Sequence, residues 1–381
     1  MDSNKSENEV NIQEWSELDI KEDLLRGIYS YGFEKPSMIQ QKAIHPIINN
    51  KDVIAQAQSG TGKTGAFAVS TLQIINESIN EIQAVIITPT RELVLQTENV
   101  MEKIGSFMKN LKIKTFIGGT NVNDDITYLR RNTPQVVIGT PGRFIDMLKR
   151  RHLNLHTCKL FILDEADEML AEGFKSQIQF IFKFFNEKIQ IAVFSATLPN
   201  EILSITDQFM IDPVRITMKP KELSLDGIEQ MFVATFDDEN KYDWLKNLFN
   251  KLALSSTVIF VNDIQKLDIL YDKMKNDNFS VCKIHSSLSK MDREQTLNDF
   301  RKNKHNILLS TNLTARGIDI QQVSIVINYD IPDDVNTYLH RIGRSGRWGR
   351  KGTAINFVRQ EDAYRMRNIE RHYNIEIKEF S

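Results

Sequence analysis

The sequence predicts two tandem α/β domains, each built on a parallel sheet. Three observations carry that expectation. The chain has 381 residues, more than one hydrophobic core usually organises. Short apolar runs rich in β-branched residues alternate with amphipathic helical segments, the pattern of buried parallel strands joined by helices. The alternation then restarts beyond a polar stretch, MKPKELSLDG, that contains Pro220 and Gly227.

In order along the chain, residues 1–13 are polar and slightly acidic and are expected to form a disordered tail. The first domain spans residues 14–217, with strands at 53–55, 84–88, 114–117, 136–138, 160–163 and 191–194. Residues 218–228 form the linker. The second domain spans 229–381, with strands at 230–235, 257–261, 280–284, 306–310, 324–328 and 352–357.

Composition narrows the function classes. With 41% hydrophobic and 26% charged residues the chain reads as an ordinary globular protein. A formal charge of −2 does not announce a nucleic-acid binder, so any such role must rest on local basic groups and backbone amides. No apolar run is long enough to span a bilayer, and the polar first dozen residues predict neither a secretory signal nor a transit peptide. Two cysteines, Cys158 and Cys282, are too few for a disulfide framework or a zinc site. A reducing, cytoplasmic setting is therefore expected.

Ala57-Gln58-Ser59-Gly60-Thr61-Gly62-Lys63-Thr64 follows a strand and opens a helix. In that setting the backbone N–H groups of Ser59, Gly60, Thr61 and Gly62 can wrap the β/γ-phosphates, Lys63 supplies charge and Thr64 reaches Mg²⁺. Ala57 stands where the pattern usually has its first glycine. The competing reading, a chance Gly-Lys-Thr turn, fits the strand–loop–helix context poorly. A second apolar run ends in Leu163-Asp164-Glu165-Ala166-Asp167, at the sheet edge where α/β folds bind ligands. There Asp164 can hold Mg²⁺ and Glu165 can polarise an attacking water, whereas a solvated acidic turn is the bland alternative.

Asp164-Glu165-Ala166-Asp167 is the tetrapeptide for which the DEAD-box helicases of superfamily 2 are named, and the chain resembles that family over about residues 14–379. Gly32-Phe33, Pro36 and Ile39-Gln40 resemble its Q motif, with Trp15 in place of the upstream aromatic. Pro89-Thr90-Arg91-Glu92-Leu93, Gly118-Gly119, Thr140-Pro141-Gly142-Arg143 and Ser195-Ala196-Thr197 resemble the other motifs of the first domain. Ser310-Thr311-Asn312-Leu313-Thr314-Ala315-Arg316-Gly317-Ile318-Asp319 and His340-Arg341-Ile342-Gly343-Arg344-Ser345-Gly346-Arg347 resemble those of the second.

The resemblance implies two RecA-like parallel-sheet domains joined by a short flexible linker, and an RNA-dependent ATPase and helicase that uses ATP and Mg²⁺. Gln40 is implied to contact the adenine, which a carboxamide can read by donating and accepting along one edge, Phe33 to stack on the ring, and Trp15 to belong to the same cofactor site. Asp319 is implied at the ribose, and Arg344 and Arg347 as guanidinium groups for developing phosphoryl charge. Pro89, Thr90, Arg91, Gly118, Gly119, Thr140, Pro141, Gly142, Arg143, Arg293 and Thr311 are implied along the backbone of single-stranded RNA, read without regard to base. Asp167, Ser195 and Thr197 are implied to link the ATP site to domain closure.

Three departures stand out. His285-Ser286-Ser287 replaces His-Gly-Asp, Lys290 replaces a glutamine three residues before Arg293, and Asn312 replaces an aspartate. Lys290 either adds charge beside a phosphate track or is a solvated lysine without a role. The loss of a negative charge at Asn312 near RNA is expected to be tolerated. Within the family, Leu25-Arg26-Gly27-Ile28-Tyr29, Gly32-Phe33-Glu34-Lys35-Pro36 and Val326-Ile327-Asn328-Tyr329-Asp330 are similar to the translation initiation factor 4A group and its exon-junction relative. That similarity implies a monomer acting on mRNA with a helical-repeat scaffold of the initiation factor 4G kind, or an ATP-gated RNA clamp.

Overall fold

The computed structural model describes residues 12–57, 61–171, 173–186, 188–198, 200–218, 228–251, 256–312, 323–345 and 352–380. Two compact units divide the chain, Met1–Met218 and Lys219–Ser381. The first carries β1 (Val53–Gln56), β2 (Ala84–Ile87), β3 (Ile113–Phe116), β4 (Val136–Gly139), β5 (Leu160–Leu163), β6 (Gln190–Ser195) and β7 (Val214–Thr217) in the order β3-β4-β2-β5-β6-β1-β7. All neighbours pair in parallel. The second carries β8 (Ile228–Thr235), β9 (Thr257–Phe260), β10 (Val281–Ile284), β11 (Ile307–Ser310), β12 (Ile325–Asn328), β13 (Gly352–Arg359) and β14 (Lys378–Glu379) in the order β10-β11-β9-β12-β13-β8-β14, again parallel. Counted from the first strand of each unit, the two orders are the same.

The central strands β2, β4 and β5 are buried at every position, which is why they read as continuous apolar runs rather than alternating ones. The expected strands lie where the apolar runs placed them. Each sheet also has a seventh strand at an edge, β7 and β14, that the apolar runs did not predict. β7 (VRIT) buries one residue fully and β14 (KE) none, because an edge strand has a neighbour on one side only.

At the chain start, Ile12 belongs to the core with 1% exposure, although the tail was expected to run to residue 13; residues 1–11 lie outside the described residues. Of the expected linker 218–228, residues 219–227 lie outside them too. Met218 extends the pairing of β7 by donating its N–H to the Gln56 carbonyl (3.1 Å), and Ile228 opens β8. Cys158 and Cys282 are free and buried, and burial pushes both thiols up to about 12, which leaves them protonated and unreactive. Among the described residues no helix is long and apolar enough to cross a membrane.

The helix Glu22–Ser30 lies against the helix Arg91–Ile104, and Gly27 sets how closely they approach. A Cβ at Gly27 would stand 1.7 Å from the Ile104 carbonyl oxygen, a backbone atom that cannot swing away. Gly27→Ala should therefore force the helices apart and destabilise the first unit by about 1–3 kcal/mol. Denaturant unfolding of the variant checks this, and an unchanged midpoint would contradict the packing described.

Candidate nucleotide and RNA interface

Because every strand of the first sheet runs the same way, every loop after a strand leaves at the same edge. The strand order sorts those loops into two contiguous halves. β5, β6 and β1 deliver the Asp164-Glu165-Ala166-Asp167 turn, the Ser195-Ala196-Thr197 turn and the phosphate-loop sequence. β3, β4 and β2 deliver Gly118-Gly119, Thr140-Pro141-Gly142 and Pro89-Thr90-Arg91. The halves meet at the β2–β5 pair, where the Asp164 N–H donates to the Ile87 carbonyl (3.0 Å).

In the nucleotide half, Ser59 and Gly60 lie outside the described residues. Thr61 and Gly62 lead into the helix Lys63–Ile74, where Gly62 takes a left-handed φ of 104° at the N-cap. Ala57 donates its N–H to the Ser195 carbonyl (2.9 Å) and is not among the positive-φ residues, so its methyl group meets no backbone strain. Thr64 is half-buried in the helix's first turn.

The Lys63 ammonium is the informative group. Lys63 is only 5% exposed, and its Nζ has no hydrogen-bond partner among the described residues. A buried cation without a partner is costly, and a polyphosphate would satisfy it. Nearby Asp164 is 2% exposed. Burial, with a smaller contribution from Glu165 and opposed by Lys63, pushes its carboxyl up to about 7. Glu165 sits at φ 49°, a left-handed conformation unusual for a residue with a side chain and a form of strain that clusters at functional sites.

The Asp167 carboxylate accepts from the Thr197 hydroxyl (2.9 Å) and backbone N–H (3.0 Å), while the Asp167 N–H donates to the Ser195 hydroxyl (3.2 Å). β5 and β6 are thus tied at their ends by both side chain and backbone.

Gln40 has a structural task that its sequence context announces. In Ser37-Met38-Ile39-Gln40, the Gln40 Oε1 accepts from the Ser37 N–H (2.7 Å) at the start of the helix Met38–Ile48, as a capping-box residue does. Its Nε2 donates to the Gly62 carbonyl (3.2 Å), so the same carboxamide braces the phosphate loop. One N–H and one lone pair remain for a base edge. A Cβ on Gly65 would come within 2.3 Å of the Gln40 Nε2 and 2.9 Å of the Phe33 ring, so Gly65, unremarked in the sequence, lets these residues close on the loop. Trp15 is 0% exposed and stacks on Phe33 at 6.1 Å and 13°. It packs behind Phe33, itself only 4% exposed, and presents no surface of its own in this structure.

In the RNA half, Thr90 and Thr140 are the N-caps of the helices Arg91–Ile104 and Pro141–Lys149, with Pro89 and Pro141 buried. Gly118, Gly119 and Gly142 are exposed. Arg91 Nη1 donates to the Gly118 carbonyl (3.1 Å) and links two of the loops. Arg143 departs from expectation. It is 9% exposed and turned inward, donating from Nη1 to Asp125 (2.7 Å) and the Thr120 hydroxyl (3.0 Å) and from Nη2 to the Thr120 carbonyl (2.7 Å). These bonds make it a brace for the Gly118-Gly119-Thr120 loop rather than a surface cation facing phosphates.

In the second unit, Arg347 and Asp319 lie outside the described residues. The helix Val335–Ile342 includes His340 and Arg341 and ends at its C-cap Gly343. Arg344 is buried just past that end and donates from Nε to the His340 carbonyl (3.2 Å). Thr311 is half-buried at the end of β11. Arg293 is half-buried on the helix Lys290–Arg301, and its Nε has no hydrogen-bond partner among the described residues.

Arg341 is fully buried, over the Phe260 ring at 5.1 Å, and all its bonded acceptors are neutral. They are the side-chain oxygens of Asn262 (2.6 Å), Asn312 (2.9 Å from Nε) and Asn328 (3.3 Å), and the Asp330 carbonyl (2.7 Å). Asn312 therefore bears on the core of this unit. The Asp330 carboxylate is engaged elsewhere, by Lys241 (2.9 Å) and Lys266 (2.6 Å).

The sequence matches the DEAD/DEAH box helicase family over residues 37–205 and the helicase conserved C-terminal domain over residues 240–349. The chain belongs to the DEAD-box helicase family. It is 50% identical to Eukaryotic initiation factor 4A-III homolog B of Oryza sativa subsp. japonica, over 97% of this chain and 91% of the relative. It is also 50% identical to the ATP-dependent RNA helicase eIF4A of Aspergillus niger, over 95% of this chain and 90% of the relative. Among solved structures it is similar to S. cerevisiae Dbp5 bound to RNA and ADP BeF3, with TM-score 0.87 and 33% identity over 97% of this chain and 95% of the other. The two parallel sheets are the tandem RecA-like domains of this family of ATP-dependent RNA helicases.

The buried ion pairs give a pH prediction. Burial raises the Asp330 carboxyl, but Lys241 and Lys266 outweigh it and hold the group below its ordinary 3.8. Its stabilisation is therefore fully present above 3.8 and is lost as pH falls through the lower folded value. Asp330→Asn strands the buried Lys241 and should cost the second domain about 3–5 kcal/mol at neutral pH. In urea titrations across pH the gap from the unaltered protein should shrink below about pH 4.

Proposed function

We propose that this DEAD-box chain binds single-stranded RNA through its backbone, without sequence preference, and uses ATP hydrolysis to open short duplexes locally. The observation that carries this reading is the buried Lys63 ammonium beside Asp164, with no hydrogen-bond partner among the described residues, on the edge that also bears the exposed Gly118-Gly119 and Gly142 loops. Lys63 and the N–H groups of the phosphate loop hold the polyphosphate. The Thr64 hydroxyl and the Asp164 carboxylate would hold Mg²⁺, which neutralises charge on the phosphates when bound. Glu165 orients the attacking water, and Arg344 and Arg347 bring guanidinium groups from the second domain. Asp167, Ser195 and Thr197 pass the state of the nucleotide to the rest of the edge. Nucleotide and RNA each favour a closed state only through contacts they do not make in the open one.

On the biological side, the reading is a cytoplasmic monomer that removes structure from the 5′ region of mRNA during translation initiation, with a helical-repeat scaffold of the initiation factor 4G kind as partner. Its 50% identity to a 4A-III homolog supports a second reading, an ATP-gated RNA clamp. Multiple-turnover unwinding of a short RNA duplex separates the two, since a clamp stays locked after one ATP. For the chemistry, single-stranded RNA should stimulate ATP hydrolysis, and Lys63→Ala should lower the rate by about 10²–10³-fold, the scale of losing one charge-stabilising donor. A rate indifferent to RNA, or undiminished in Lys63→Ala, would contradict the assignment.

A further inference from the structure

Asp125 belongs to none of the motifs that identify the family, yet it sits at the centre of the RNA half of the edge. It lies in the first turn of the helix Val122–Arg131, which follows directly from the Gly118-Gly119-Thr120 loop. Its neighbour Asp124 is exposed and complements the helix N-terminus in the ordinary way. Asp125 is 4% exposed and turns inward. One of its oxygens meets Lys114 of β3 (2.9 Å) and the other meets Arg143 (2.7 Å).

The remaining bonds of Arg143 run to the side chain and carbonyl of Thr120, and Arg91 holds the carbonyl of Gly118. The three loops after β2, β3 and β4 are thereby stitched together. Within the stitching, Asp125 is the carboxylate that neutralises Arg143. Within itself the loop is held by the Thr120 hydroxyl, which donates to the Ile117 carbonyl (2.9 Å), and its glycines leave it dependent on such fixings. It holds two exposed glycines in succession, Gly119 at φ 79°, and a Cβ on Gly118 would touch nothing. Arg143 cannot turn outward to a phosphate without giving up both its buried ion pair with Asp125 and its bonds to Thr120.

We propose that Asp125 is a positioning residue for RNA: by fixing Arg143 it holds the backbone amides of residues 118–120 in the geometry that meets the phosphates. The proposal rests on the reading of these loops as RNA-binding. Its charge acts on the loop and not on the ligand, which separates it from an ordinary phosphate contact.

The test uses the full chain with Asp125→Asn, which keeps shape and removes charge. The RNA concentration for half-maximal ATPase stimulation should rise on the order of ten- to a hundredfold, the scale at which small misplacements act. The KM for ATP and the rate at saturating RNA should stay unchanged. The slope of log RNA affinity against log salt should also hold, because no phosphate contact is removed. Amide hydrogen exchange without RNA should accelerate at residues 118–121 and not at 61–66. Arg143→Lys, which keeps the ion pair and gives up the fork on Thr120, should fall between the two proteins and serves if Asp125→Asn does not fold. Unaltered RNA dependence together with unaltered exchange overturns the proposal. So does a salt slope lowered by about one, the mark of a lost phosphate contact. Should the unaltered protein ignore RNA, the functional reading fails, while exchange at 118–121 still decides the brace: faster supports it, unchanged overturns it.

Discussion

A parallel strand cannot return on itself through a tight turn, so each strand in these sheets is followed by a crossover and every strand end meets the same edge. The positions of the functional side chains follow from that constraint. The order β3-β4-β2-β5-β6-β1-β7 then decides which strand ends are neighbours. Sequence segments more than a hundred residues apart, around Lys63 and Ser195, come together because β1 lies beside β6. The loops read as RNA-binding come together because β4 lies between β3 and β2. A backbone hydrogen bond between β5 and β2 joins the halves, so a shift of the Asp164 turn is felt two residues from Pro89.

Buried cations sort the chain's charged residues by purpose. Arg143, Lys241 and Arg341 are enclosed and have their donors met within the protein, by Asp125, by Asp330 and by asparagine oxygens respectively. Such groups hold architecture. Lys63 is as thoroughly enclosed and has no hydrogen-bond partner among the described residues, which is the condition expected of a group awaiting an anion. Burial alone does not make the distinction; the presence or absence of a partner does.

Much of this was legible in the sequence because the features are local. Apolar runs marked twelve strands, and the phosphate-loop pattern marked the turn between β1 and its helix. The edge strands β7 and β14 escaped because half of their surface faces solvent and leaves no apolar run. Ser37-x-x-Gln40 is a capping-box pattern, so the structural task of Gln40 is legible in the sequence beside the adenine contact that the resemblance implies. The inward turn of Arg143 was not legible, since its partner Asp125 lies eighteen residues earlier and only the fold brings the two helices' first turns together. Asn312 looked like a tolerable loss of surface charge, yet it accepts from the buried Arg341, whose burial no local pattern announces.

If nucleotide and RNA favour the same closed state through this edge, they should be thermodynamically linked. The direct measurement is the dissociation constant of single-stranded RNA with and without a saturating non-hydrolysable ATP analogue, paired with that of the analogue with and without RNA. Linkage predicts that each ligand tightens the other by the same factor, on the order of 5–150-fold. Affinities that do not respond to the other ligand would show that the two halves of the edge work independently, contrary to the coupling inferred from the sheet.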